Sequence, residues 1–65
     1  MNLIFVATCD GCTVAINPEH ILFVYENTDA EYGTYTVINF GTASLKVKDK
    51  FESIVSSLNA WRKKA

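Results

Sequence analysis

The sequence predicts an α+β fold, in which five antiparallel strands form one strongly bent sheet or a small barrel packed by a single C-terminal helix. Two patterns predict it. Short β-prone runs separated by turn signals occupy residues 2–48, and an apolar stripe with helical spacing follows over residues 50–63. The 65 residues are 49% hydrophobic and 12% aromatic, which fits a single domain and excludes intrinsic disorder.

The first two strands are predicted at residues 2–8 and 12–16. The run Leu-Ile-Phe-Val-Ala-Thr at residues 3–8 is strongly β-prone. Asp10-Gly11 is the two-residue signal for a type I′ hairpin turn, so we expect the chain to reverse there. In that register Cys9 and Cys12 face each other as the pair that closes the turn, within reach of a disulfide.

Three further strands are predicted at residues 21–26, 34–40 and 43–48. Asn17-Pro18 marks a turn before the third strand, because proline presets φ for a turn position. An acidic loop is expected from residue 27 to residue 33. In the fifth strand Leu45 and Val47 alternate with lysines, which indicates one buried face and one solvated face.

The helix is predicted at residues 50–63. Asp49 precedes it as the N-cap, and Glu52 lies three residues later, as in a capping box. Its apolar residues share one face and are Phe51, Ile54, Val55, Leu58 and Trp61. We expect this stripe to pack on one face of the sheet.

The first and third strands are apolar on both faces, although a single helix covers only one face of a sheet. Strands of this kind are normally buried on both sides. We therefore expect the surplus side chains to contact another copy of the chain, so that the protein is a homo-oligomer. These residues are Ile4, Val6, Leu22 and Val24. A closed monomeric barrel is the alternative.

Cys9 and Cys12 form a CxxC motif, which is open to three interpretations: ordinary thiols, a disulfide, or half of a zinc site. We favour ordinary thiols, because the motif flanks a hairpin turn and lacks the helix N-terminus that activates a redox pair. His20 is the further candidate ligand. We expect no metal and no cofactor. The sequence pairs no nucleophile with a base and has no glycine-rich phosphate loop, so we expect no enzymatic activity.

The charges are unevenly distributed. The first 45 residues carry five acids and no base, whereas all six basic residues lie from residue 46 onward. A candidate basic patch consists of Lys46, Lys48, Lys50, Arg62, Lys63 and Lys64. The net charge of −1 argues against nucleic acid as a partner, because nucleic-acid-binding domains are usually basic.

The acidic segment provides a second candidate surface. An exposed loop with an aromatic residue often carries recognition, and here the loop would present Glu26, Asp29, Glu31 and Tyr32 to an unidentified protein partner. No apolar run approaches the roughly 20 residues that span a bilayer, and the start of the sequence lacks a basic n-region. We therefore expect a cytoplasmic protein without membrane insertion.

Residues 9–21, CDGCTVAINPEHI, resemble the opening of the FlbD/SwrD family of small flagellar motility proteins. That family has a strand, an Asn/Asp-Gly turn, a short strand and an Asn-Pro-acid-x-Ile turn. Residues 35–40 (YTVINF) and 46–49 (KVKD) are similar to its later strands and to the start of its helix. The segment 27–33 is longer than the corresponding connection of the family, and the cysteine pair is not part of its pattern.

The resemblance implies a cytoplasmic, non-enzymatic protein that supports flagellar motor output, and it supplies no catalytic residues. The leading prediction is a non-catalytic protein–protein interaction or assembly module. Two alternatives remain. One is a phage-encoded inhibitor that binds a host protein or sequesters a small ligand, and the other is a small-barrel nucleic-acid binder.

Overall fold

The computed structural model describes residues 3–64, which form five strands and one C-terminal α-helix. The strands are β1 (Ile4–Ala7), β2 (Thr13–Ile16), β3 (Phe23–Asp29), β4 (Gly33–Asn39) and β5 (Ser44–Val47). A short 3-10 helix, Pro18–His20, precedes β3, and α1 spans Phe51–Lys64. The predicted α+β class and element order are confirmed. Residue 2, which the first predicted strand included, lies outside the described residues.

The strands form two sheets, so the prediction of one bent sheet or a closed barrel is wrong. β1 pairs with β2, and the second sheet has the order β3-β4-β5, with antiparallel pairing throughout. An isolated bridge between Thr8 and Val47 links the sheets, next to a 2.7 Å hydrogen bond from Lys48 N–H to the Ala7 carbonyl. Because β5 is short and the chain then turns into α1, this contact does not extend into a continuous ladder.

The core lies between the two sheets and the helix. Its buried apolar residues are Val6, Ile16, Ile38, Val47 and Ile54. Leu58, one turn after Ile54, packs against this cluster. On β5, Val47 is buried while the neighbouring lysines are exposed, as the alternating pattern predicted. Within residues 3–64, no helix is long and apolar enough to cross a bilayer.

The β1–β2 hairpin differs from the predicted two-residue turn. Its ladder places Thr8 opposite Cys12 and leaves residues 9–11 as the loop. Gly11 has φ +97°, and positive φ in residues 3–64 occurs only at glycines. A type I′ turn needs positive φ at both central residues, so the connection is instead a three-residue loop that ends in a left-handed glycine. The prediction that Cys9 faces Cys12 across the ladder is therefore wrong.

The β3–β4 hairpin is tighter than predicted. β3 continues to Asp29 and β4 begins at Gly33, so the loop contains residues 30–32 rather than 27–33. The Asp29 carboxylate accepts hydrogen bonds from the backbone N–H groups of Glu31 (3.0 Å) and Tyr32 (2.7 Å). This Asx-type turn reverses the chain in fewer residues than the run of polar residues suggested.

Helix α1 begins one residue later than predicted, because the Ile54 N–H donates to the Lys50 carbonyl at 3.1 Å and makes Lys50 the cap residue. The Asp49 carboxylate has another partner, the Ala7 N–H at 2.9 Å. The Asp49 carbonyl accepts the Thr36 hydroxyl at 2.7 Å. Asp49 thus joins β1 and β4 to the start of the helix instead of forming the predicted capping box.

Candidate functional site

The sheet β3-β4-β5 has an inner face and an outer face. Ile38 and Val47 lie on the inner face with the helix and have no exposed surface. Successive residues of a strand point to opposite faces, so the outer face carries the alternate set. One row across the three strands of this face consists of Tyr25, Val37 and Lys46.

The structure places most of the predicted self-association residues in the core. Val6 is 2% exposed, and Ile4 and Val24 pack against the buried cluster. Leu22 alone of the four is exposed, at 68%. The predicted self-association surface is therefore wrong for Ile4, Val6 and Val24. The faces of β1 and β3 that carry these residues, which we expected to be uncovered, pack toward the helix.

The surplus apolar side chains lie on the opposite face. Phe23 and Tyr25 are 53% and 44% exposed, and their rings stack with centroids 5.9 Å apart. Because they are two residues apart on β3, both project from the outer face. On β1, Phe5 is 73% exposed. The sequence correctly indicated that these strands are apolar on both faces. It did not indicate which face is buried, and we predicted the opposite face to be exposed.

Tyr35 is the buried centre of the outer face, with 4% exposure. The Lys46 Nζ lies 5.4 Å from its ring centroid, and the Tyr32 ring meets it edge-on at 6.2 Å. The Asn27 amide donates to the Tyr35 hydroxyl at 3.2 Å. The nearby charge of Glu31 raises the pKa of the Tyr32 phenol above its ordinary value. These contacts fix aromatic and cationic groups on one surface.

The predicted partner-binding residues do not form one loop. Glu26 lies opposite Thr36 in β3, and it lines a cleft with Phe51 on the helix side. The Asp29 carboxylate is engaged by the backbone of the turn. Glu31 and Tyr32 remain together in the loop, where they line a cleft beside β5.

The predicted basic patch is divided into two groups. Lys46, Lys48 and Lys50 lie on β5 or just before α1, whereas Arg62 and Lys63 lie at the other end of the helix. At 1.5 Å per residue these groups are separated by about 18 Å along the helix axis. The side chain of Lys64 lies outside the described residues. The five described basic side chains therefore do not form one continuous patch.

The cysteines and His20 lie at opposite ends of β2. Cys9 is half-buried and Cys12 is exposed, and both are free thiols. The Thr8 hydroxyl donates a hydrogen bond to the Asp10 carboxylate, and this bond lowers the pKa of Asp10 below its ordinary value. His20 ends the 3-10 helix after β2 and is exposed. In the part of the chain that the structure describes, no three His, Cys, Asp or Glu side chains gather where they could hold a metal ion.

One feature was not predicted from the sequence. A cleft of about 230 Å³ lies between the start of β3 and the C-terminal half of α1. Its lining includes Leu22, Trp61 and Arg62. The sequence contains one indication of this cleft, because Trp61 at the end of the apolar stripe is followed directly by Arg62. It does not indicate that the start of β3 packs beside these two residues.

Comparison of the sequence with protein-family models and with curated proteins, and of the fold with solved structures, found no match.

Proposed function

We propose that this protein is a non-catalytic protein–protein interaction module that assembles with copies of itself through the outer face of the β3-β4-β5 sheet. The observation that carries the proposal is the exposed, stacked pair Phe23 and Tyr25. Monomeric proteins rarely expose contiguous apolar patches of more than a few hundred Å², and stacked aromatic residues are typical anchors of protein interfaces.

Size and charge favour a second copy as the partner. A domain of this length buries only about 60% of the surface that its unfolded chain exposes, so an added apolar contact contributes substantially to its stability. Lys46 and Glu31 lie at the border of the outer face, where both line the same cleft. A two-fold axis can pair an acidic border group of one copy with a basic group of the other.

Substitution of the aromatic pair tests the proposal. At tens of micromolar, sedimentation equilibrium should find the wild-type protein as a dimer or larger assembly and the double variant Phe23→Ser/Tyr25→Ser as a monomer. Phe5→Ser is the matched control, because it removes an even more exposed aromatic side chain from the other sheet. Wild-type protein that sediments as a monomer, or a double variant that associates like the wild type, would contradict the proposal.

The cellular role that we propose is support of flagellar motility from the cytoplasm, on the strength of the resemblance over residues 9–21. Deleting the gene in the source organism should impair swimming, and the wild-type gene should restore it. The Phe23→Ser/Tyr25→Ser variant should fail to restore swimming although it accumulates normally. Unimpaired swimming of the deletion strain would refute the motility role and leave the self-association proposal intact.

A further inference from the structure

The cleft between β3 and α1 has the dimensions and the lining of a site for peptide side chains. Most of its lining residues are apolar, and the polar ones are Asn59 and the cation Arg62; the apolar ones include Leu22, Phe23, Val24, Val55, Leu58 and Trp61. Its volume of about 230 Å³ is below the roughly 300–1,000 Å³ of pockets that enclose a drug-sized ligand. The cleft therefore suits one or two side chains of a polypeptide better than a cofactor.

Beside the cleft, β3 offers an open strand edge. The Phe40 N–H donates to the Ala43 carbonyl at 2.8 Å across the β4–β5 turn, so the even-numbered residues of β4 face β5 and the odd-numbered ones face β3. The register then directs the backbone groups of Val24, Glu26 and Thr28 away from β4. On that side β3 has no neighbouring strand within residues 3–64. Unpaired backbone groups in a row are a template for an added strand.

The charges along this edge indicate what can occupy it. Antiparallel pairing of β3 with its counterpart in a second copy, centred on residue 26, would place Glu26 opposite Glu26, and directly opposed like charges are destabilising. At the cleft, Arg62 is exposed and offers a guanidinium group to a carboxylate. This register is therefore unfavourable for a second copy of β3, whereas Arg62 favours an incoming segment that carries an acidic residue.

We propose that the cleft and the adjoining edge of β3 bind an extended internal segment of a partner protein by strand addition. The segment hydrogen-bonds to the outward backbone groups of Val24 and Glu26, inserts an apolar side chain between β3 and α1, and places an aspartate or glutamate beside Arg62. Main-chain bonds provide affinity in this mode, and the side-chain pocket provides specificity. The site shares Phe23 with the outer-face pair, because Phe23 also lines the cleft, but strand addition at the edge of β3 does not require a second copy of the chain.

The test uses a library of random nonapeptides displayed between two fixed flanking domains, so that every peptide is an internal segment without a free terminus. Selection against the wild-type protein should enrich peptides that carry an apolar residue together with an aspartate or glutamate. Affinities of the selected peptides are then measured by fluorescence anisotropy. Arg62→Glu should weaken binding about tenfold or more, because it replaces an attractive charge pair with a repulsive one.

Two further variants distinguish the proposed site from general electrostatics. Lys63→Glu makes the same change of charge next to Arg62 but outside the cleft lining, and it should leave the affinity within about twofold. Glu26→Pro removes an outward N–H while leaving the bonds to β4 intact, since proline is tolerated on edge strands, and it should also weaken binding about tenfold. Circular dichroism verifies that each variant is folded. Failure to enrich any peptide would overturn the proposal, as would selected peptides that bind Arg62→Glu as tightly as wild type.

Discussion

Asp49 illustrates how a single side chain can take a structural role that its sequence position does not indicate. A helix N-cap was expected from its place before an amphipathic stripe, yet its carboxylate accepts the Ala7 N–H and its carbonyl accepts the Thr36 hydroxyl. Both partners are distant in sequence, so no local pattern could reveal them. The two hydrogen bonds connect β1 and β4 to the start of α1. They lie close to the isolated bridge, between Thr8 and Val47, that links the two sheets.

Asp49→Ala should therefore destabilise the protein by about 1–3 kcal/mol, because it leaves the Ala7 N–H without its acceptor. Urea denaturation followed by tryptophan fluorescence measures the loss. Glu52→Ala, which removes the exposed acid of the predicted capping box, should cost only about 0.5 kcal/mol. Equal losses in the two variants would indicate that Asp49 acts as an ordinary helix cap.

The Thr8–Asp10 bond in the cysteine-containing hairpin predicts a pH dependence. Because the Thr8 hydroxyl lowers the pKa of Asp10 in the folded protein, the bond stabilises the fold fully above the ordinary carboxyl pKa. This stabilisation is lost as the pH falls through the lowered value. In Thr8→Val, an NMR titration of the Asp10 side-chain carboxyl should give a pKa closer to the ordinary one. Thr13→Val, an exposed threonine on the next strand, is the control and should leave that pKa unchanged; an unshifted pKa in Thr8→Val would count against the bond.

At the scale of elements, the sequence predicted what local patterns determine. The observed helix agrees with the predicted range within one residue at each end, because its apolar stripe is long and regular. β3 extended beyond its prediction because cross-strand pairs such as Thr28 with Thr34, whose hydroxyl oxygens are 3.1 Å apart, continue the ladder through a segment of weak β propensity.

The buried face of β1 was beyond local prediction. Ile4 and Val6 are no more apolar than Leu3 and Phe5, and a shift of one residue exchanges the two sets. Tertiary contacts with the buried cluster, which includes Ile38, Val47 and Ile54, decide which set is buried. The same ambiguity in β3 explains why the self-association prediction chose Val24 over the neighbouring aromatic residues, while the existence of a surplus apolar face was predicted from the pattern itself.

The β1–β2 loop gives a test at this scale. Gly11 adopts φ +97°, and a Cβ added there would meet no atom within 4 Å, so any cost of substitution comes from the backbone. Gly11→Ala should lower the free energy of unfolding by about 1–3 kcal/mol. Gly11→Asn should cost less, because asparagine tolerates left-handed conformations. Thermal unfolding of the two variants compares them, and a Gly11→Ala variant as stable as wild type would refute the left-handed turn.

At the scale of the whole molecule, two small sheets and one helix enclose a core of few residues and leave aromatic side chains uncovered. The outer face carries the stacked pair Phe23 and Tyr25, and the opposite side of β3 borders the α1 cleft. β3 thus takes part in both proposed surfaces, and Phe23 belongs to both, since its ring stacks on Tyr25 and its side chain also lines the cleft.

A dilution series of ¹H–¹⁵N NMR spectra tests self-association through the outer face. If Phe23 and Tyr25 anchor the contact between copies, the amide signals that move with protein concentration belong to these two residues and to their cross-strand neighbours Val37 and Lys46. Amides of β2 should stay in place. Spectra that do not change with concentration, or changes confined to β1 and β2, would contradict it.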